Sequence, residues 1–322
     1  MRRIGRRPFV ALVAVVTAGA LTACGGTSST ESATAPGQVT PVSATVLAAS
    51  TLAPVYAGVK NGVFTKAGID LTLTQAAPSA VVPAVVSGSS TVGYLAIPSI
   101  LLAASKGLPI RIVANAGASP DSPVVVPNDS PVKSYADLKG KRIAVHNLGG
   151  LGQFAVVGAL LNNGVDPKSV QLLEVPFGDM ESALDRGTVD AAWLIQPFAG
   201  LAEKHGKTRS LGSSVEAANM TALGSAYFFT LDETVQKNPD LISRFVDAVK
   251  QSNSYGLAHV QEMVDIVPSF AKVPPEVLGP KLVSATYGEI PIDQLKRVND
   301  FMVKNGFLTK SVDIDSLVWA GR

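Results

Sequence analysis

The sequence predicts an α/β fold of two lobes, each with a largely parallel sheet. Three observations carry this. Short apolar strands alternate with helical segments from residue 42 onward. The same pattern restarts after Asp121-Ser122-Pro123. A spacing also repeats: Gly88 lies ten residues before Pro98, and Gly187 ten before Pro197. Each pair brackets a helix end, a strand and the turn after it, as two similar lobes would produce.

The elements follow in order. Val42 to Ala49 alternates apolar and small residues and reads as a strand. Ser50-Thr51 then stands where a helix N-cap belongs, with Pro54 in the first turn, and the helix from Ala53 stops near Asn61-Gly62. Ile69 to Thr74 is a strand, Ser79 to Ser87 a helix, and Val92 to Ala96 and Ile110 to Ala114 are strands. After the restart come a buried strand Val124–Val126, a helical turn Tyr135 to Lys139, and a strand Arg142 to His146. A glycine-rich turn opens a helix from Gln153 to Asn163, which Gly164 stops as a left-handed cap. Val170 to Val175, Asp179 to Arg186 and Val189 to Ile195 read as strand, helix and strand. Beyond Leu231 the chain turns helical, and Ile292, Leu295, Val298, Phe301 and Met302 form one apolar face suited to core packing.

The amino terminus has a different character. Arg2, Arg3, Arg6 and Arg7 precede an apolar run from Phe9 to Leu21, which closes on Leu21-Thr22-Ala23-Cys24. A basic start, a short apolar stretch and small residues describe a signal peptide over 1–23. The run is shorter than the roughly 20 apolar residues a spanning helix needs. Cys24 is the only cysteine, so it closes no internal disulfide. The tetrad resembles the lipobox of bacterial lipoproteins, which implies a lipid on Cys24 and attachment at the outer face of a cell membrane. Residues 24–40 are small, polar and proline-bearing, as in a flexible tether. Loss of residues 1–23 would remove four arginines and leave 23 basic against 25 acidic side chains. That balance gives no electrostatic footprint for nucleic acid.

Three motifs resemble one family. The first runs Pro54-Val55-Tyr56-Ala57-Gly58-Val59-Lys60-Asn61-Gly62-Val63-Phe64 and on to Ala67-Gly68-Ile69-Asp70-Leu71. The second is Asp137-Leu138-Lys139-Gly140-Lys141-Arg142-Ile143-Ala144-Val145. The third runs from Ala183-Leu184 through Gly187 to Val189-Asp190-Ala191-Ala192 and Pro197. In that order they resemble the nitrate/sulfonate/taurine-binding family of ABC-transporter substrate-binding proteins. The resemblance implies the two-lobed periplasmic-binding-protein type II fold, or Venus flytrap, with two interlobe crossings. It places lobe one at 41–117 plus 231–322 and lobe two at 118–230, with crossings near Asn115 to Val126 and Leu223 to Thr230. It implies a monomer that captures a small polar solute and delivers it to an ABC permease, coupled through it to an ATPase subunit. An aliphatic sulfonate, taurine or nitrate is the leading ligand, and a neutral or aromatic solute such as a thiamine pyrimidine precursor the alternative. Fungal pyrimidine synthases share the fold, but they carry a cysteine-rich segment that this chain lacks. A non-enzymatic role is therefore expected, ahead of an enzyme or a surface sensor.

In such a fold ligands sit off the carboxyl ends of strands, where helix N-termini offer free amides. Two segments fit: Ser50-Thr51, and Asn147-Leu148-Gly149-Gly150-Leu151-Gly152, whose Gly149, Gly150 and Gly152 let backbone approach a ligand. The latter has no Gly-Lys-Ser/Thr, so it is no nucleotide phosphate loop. Trp193 and Gln196 end a strand, and Tyr94, Ala96 and Ile97 mirror that place in lobe one. Many relatives carry Glu-Pro where Gln196-Pro197 stands, so a bound cation is not expected. Asn115 and Ser225 are candidates from the crossings, and Tyr56 is a candidate aromatic wall. His146, His205 and His259 are scattered without metal-ligand spacing, so neither metal nor cofactor is expected.

Overall fold

Ten strands form two five-stranded sheets of matching order in the computed structural model, which describes residues 39–118, 122–220, 225–272, 279 and 288–321. The strands are β1 (Thr40–Val46), β2 (Ile69–Gln75), β3 (Val92–Ala96), β4 (Ile110–Ala118), β5 (Pro123–Pro127), β6 (Arg142–Val145), β7 (Gln171–Glu174), β8 (Ala191–Trp193), β9 (Thr208–Ser213) and β10 (Ser225–Leu231). The first sheet runs β2-β1-β3-β10-β4 and the second β7-β6-β8-β5-β9. In each, three parallel strands are followed by one antiparallel strand, β10 or β5.

Both sheets are therefore mixed, not largely parallel. The antiparallel strand is the one that arrives from the other lobe. β5 follows β4 of the first sheet along the chain, and β10 follows β9 of the second. The same fact moves a lobe boundary. Residues 225–230, expected in lobe two and within the second crossing, lie in β10, which pairs with β3 and β4 of the first sheet.

β10 explains much of the first lobe's core. Successive side chains of a strand face opposite ways. Phe228 packs with Val42, Val113 and Phe245 on one face, and Phe229 with Val81 and Leu95 on the other. Burying each such ring contributes about 1.5–3 kcal/mol. Gly93 on β3 makes room, since a Cβ there would lie 2.7 Å from the Phe229 ring.

The apolar face near the carboxyl terminus forms as expected. Leu295, Val298 and Met302 of the helix Ile292–Lys304 are buried. Their cluster also holds Phe154 and Ala155, from the helix Leu151–Asn162 that follows β6. Phe154 meets Phe307 edge-on at 4.7 Å between ring centroids. The two lobes thus share an apolar seam.

Expected boundaries shift by a few residues elsewhere, and the helix Ile97–Ser105 and strand β9 join the pattern unanticipated. All described residues belong to one compact unit, Gly37–Arg322. Residues 1–23 and Cys24 lie outside the described residues, as does most of the tether. Among the described residues no helix is long and apolar enough to cross a membrane.

Candidate functional site

The carboxyl ends of β1, β3, β6 and β8 converge on a hollow of about 90 Å³ between the two sheets. Several helical segments begin there, and three of them start at Ser50, Ile97 and Leu151. Their N-caps are Ala49, Ala96 and Gly150, and none has a side-chain cap. Alanine and glycine have no side-chain oxygen for the first-turn amides. The free amides and positive dipole ends of these segments are thus not satisfied by capping side chains.

Ser50 and Thr51 line the hollow but do not cap as expected. They lie inside the turn Ser50–Leu52, with Ala49 before it. The Thr51 and Tyr94 hydroxyls are 2.6 Å apart and buried. Burial pushes the Tyr94 phenol up to about 12, with the Thr51 bond opposing, so it stays neutral. Tyr94 and Ala96 complete the first lobe's wall, joined by Ser99 one turn into the next helix.

The second lobe's wall is aromatic. His146 stacks on Phe177 at 4.3 Å with an interplanar angle of 8°. Phe177 leans on Trp193 at 5.8 Å and stacks on Phe198 at 5.1 Å. Trp193 is buried, and its Nε1 donates to Ser214 Oγ at 3.0 Å. Burial pushes His146 below its ordinary value of 6.5, with Glu174 opposing, so the ring is neutral at pH 7. Its Nδ1 is buried with no hydrogen-bond partner. Glu174 Oε1 accepts from the Leu148 amide at 2.6 Å and steadies the loop.

The glycines of that loop have separate roles. A Cβ on Gly152 would lie 2.5 Å from the Trp193 ring, and one on Gly150 2.4 Å from Asn147 Oδ1. Gly149 has φ of +76° and sits between lining residues without lining the hollow itself. Its amide donates to Gln153 Oε1 at 2.6 Å. Asn147 and Gln196 both line the hollow, and Gln196 Oε1 accepts from the Gly200 amide at 3.3 Å. The bond between Gln196 and Pro197 is cis. No Lys, Arg, Asp or Glu occurs among the described lining residues.

Four candidates lie elsewhere. Ile97 is fully buried in the core, because the first helical residue after β3 turns inward. Tyr56 stacks on Phe270 at 4.1 Å and takes a hydrogen bond from Gln75. Asn115 Nδ2 donates to the Gly288 carbonyl at 3.0 Å and its Oδ1 accepts from the Gly117 amide at 2.8 Å, both in the first lobe. Ser225 stands in β10 opposite Ala118. The lining residues Phe177 and Ser99 were missed. Phe177 follows β7 in a short turn with no periodic signal, and Ser99 lies in a uniformly apolar helix. Among the described residues, no group of three or more His, Cys, Asp or Glu comes together for a metal ion.

Two matched sheets, a chain that passes between them twice, and a hollow at their facing carboxyl ends define the two-lobed periplasmic-binding-protein fold. The Escherichia coli periplasmic aliphatic sulphonate binding protein has it, with a TM-score of 0.71 at 17% identity over 88% of this chain and 92% of that one. The family model described as NMT1/THI5 like matches residues 49–263, and the chain belongs to that family. The chain is 24% identical over 217 residues to a Saccharomyces cerevisiae 4-amino-5-hydroxymethyl-2-methylpyrimidine phosphate synthase, covering 64% of this chain and 63% of that relative. It is 26% identical over 167 residues to the Escherichia coli taurine-binding periplasmic protein, covering 52% and 51%. The match thus spans less than two thirds of these relatives' own lengths.

Proposed function

We propose that this protein is the extracytoplasmic solute-binding component of an ABC importer, with no catalytic role. The observation that carries the reading is the hollow itself: three side-chain-uncapped helix starts and a ring wall, brought together from both lobes. A solute touching both walls stabilises the closed arrangement, which a permease then distinguishes from the open one. The leading ligand is a small sulfonate-like oxyanion, supported by the taurine- and sulphonate-binding relatives. Helix amides and hydroxyls can hold an anion without a paired cation. Lipidation of Cys24 would keep the domain beside its permease.

One observation favours a second ligand. The His146–Phe177 stack beside an uncharged lining suits a flat neutral solute, such as an aminopyrimidine. Titration calorimetry with taurine, ethanesulfonate, nitrate and 4-amino-5-hydroxymethyl-2-methylpyrimidine decides between them. Saturable heat from a sulfonate supports the first reading and from the pyrimidine the second. Silence across the panel rejects both ligand assignments. Fractionation of cells expressing Cys24→Ala tests the anchor, and a variant still retained on membranes would contradict it.

A further inference from the structure

The ring wall of the cleft is held from behind by a short chain of hydrogen bonds. Trp193 Nε1 donates to Ser214 Oγ at 3.0 Å, and the Ser214 hydroxyl donates in turn to the Ser122 carbonyl at 2.8 Å. The Ser214 amide reaches the same carbonyl at 2.9 Å. Ser122 and Ser214 are fully buried and Trp193 is 3% exposed, so water does not compete for these bonds. An indole N–H can only donate, and a hydroxyl has one proton. The direction is therefore fixed, from indole to hydroxyl to carbonyl.

This chain ends where the second lobe meets the first. Ser122 immediately precedes β5, which follows β4 of the first sheet. Ser214 opens the helical turn Ser214–Ala217. Val215 and Ala218, in and just after that turn, are buried in the apolar cluster that holds Leu295, Val298 and Met302 of lobe one. The lobes approach closely there: a Cβ on Gly158 would lie 2.8 Å from Ala218 Cβ and 3.6 Å from the Phe301 ring. The Trp193 ring has little slack at the other end. A Cβ on Gly152 would lie 2.5 Å from it, and Phe177 leans on it at 5.8 Å. Close-packed groups pass a displacement on and do not absorb it.

We propose that Ser214, which does not line the hollow, is a positioning residue that couples the cleft's ring wall to the angle between the lobes. Its use in solute capture rests on the reading of the cleft given above. A solute pressing on the wall moves the ring, and Ser214 carries that movement to the lobe junction.

Double electron–electron resonance on the protein without solute tests this. The full chain carries Cys24→Ala, with nitroxides on Lys106→Cys in lobe one and Lys139→Cys in lobe two, both at exposed positions. Ser214→Ala is expected to change the ratio of closed to open populations about five-fold, the scale of one hydrogen bond. Trp193→Phe keeps a ring but loses the N–H, and it should do the same. The double variant should change no more than either alone. A Ser214 that only supports the second lobe would lower the urea midpoint of unfolding and leave the distances in place, which overturns the proposal. Additive changes in the double variant also overturn it, because ring and hydroxyl would then act by separate routes. If Ser214→Ala does not fold, Trp193→Phe decides, and unchanged distances reject the coupling. Shifted distances with a silent calorimetry panel would reject the ligand assignments and leave the coupling standing.

Discussion

The two sheets share one strand order, yet they present unlike walls to the cleft between them. The first lobe offers hydroxyls and small residues: Ser50, Thr51, Tyr94 and Ala96. The second offers rings: His146, Phe177 and Trp193. Topology sets where each wall stands, because strand ends and helix starts fall at matching places in both sheets. The side chains at those ends set what each wall binds. A matched scaffold can thus hold the polar head of a solute on one side and its apolar face on the other.

The comparison can be broken first at Trp193. Trp193→Ala removes a buried ring and orphans Ser214, and it is expected to cost about 3–5 kcal/mol of stability in urea unfolding. A smaller loss would mean the ring is a cleft wall but no part of the second lobe's core. Gly152→Leu pushes side-chain atoms into the Trp193 ring. Overpacking of about 1–3 kcal/mol should lower affinity for the ligand found by calorimetry by about ten- to a hundred-fold. Unchanged affinity would detach the ring wall from binding.

Tyr94→Phe sharpens the other side. It removes the hydroxyl bonded to Thr51, and about 1 kcal/mol of stability should go with it. The smallest effect is one of pH. His146 titrates below its ordinary 6.5 because of burial. Well above 6.5 the ring is neutral in both folded and unfolded chains, so it adds no pH dependence. As pH falls through 6.5 the unfolded chain takes up the proton first, and stability declines until the folded ring protonates too. Unfolding curves of His146→Phe across that range should be flatter than those of the unmutated protein.

Much of this was legible in the residues. Val92–Ala96 forms the strand expected of it, and the Asn147 to Gly152 segment lies at the cleft, because a glycine-rich turn between strand and helix is a local signal. Ser50-Thr51 also reached the cleft, though as part of a turn and not as a cap. Other assignments failed because nothing local distinguishes them. Tyr56 looks like a cleft aromatic until Phe270, far along the chain, is seen stacked on it. Asn115 sits beside a crossing, but its side chain faces the Gly288 carbonyl.

Alternating strands and helices, a repeated lobe pattern and the motif order were enough to determine the α/β class and the family. These depend on neighbours along the chain, and hydrophobic period and turn chemistry record them. Tertiary structure decided that β10 joins the first sheet, that Phe177 reaches the cleft, and that Asn115 turns to the Gly288 carbonyl. Each depends on which distant segment arrives beside it, and packing between distant segments leaves no local periodic signal.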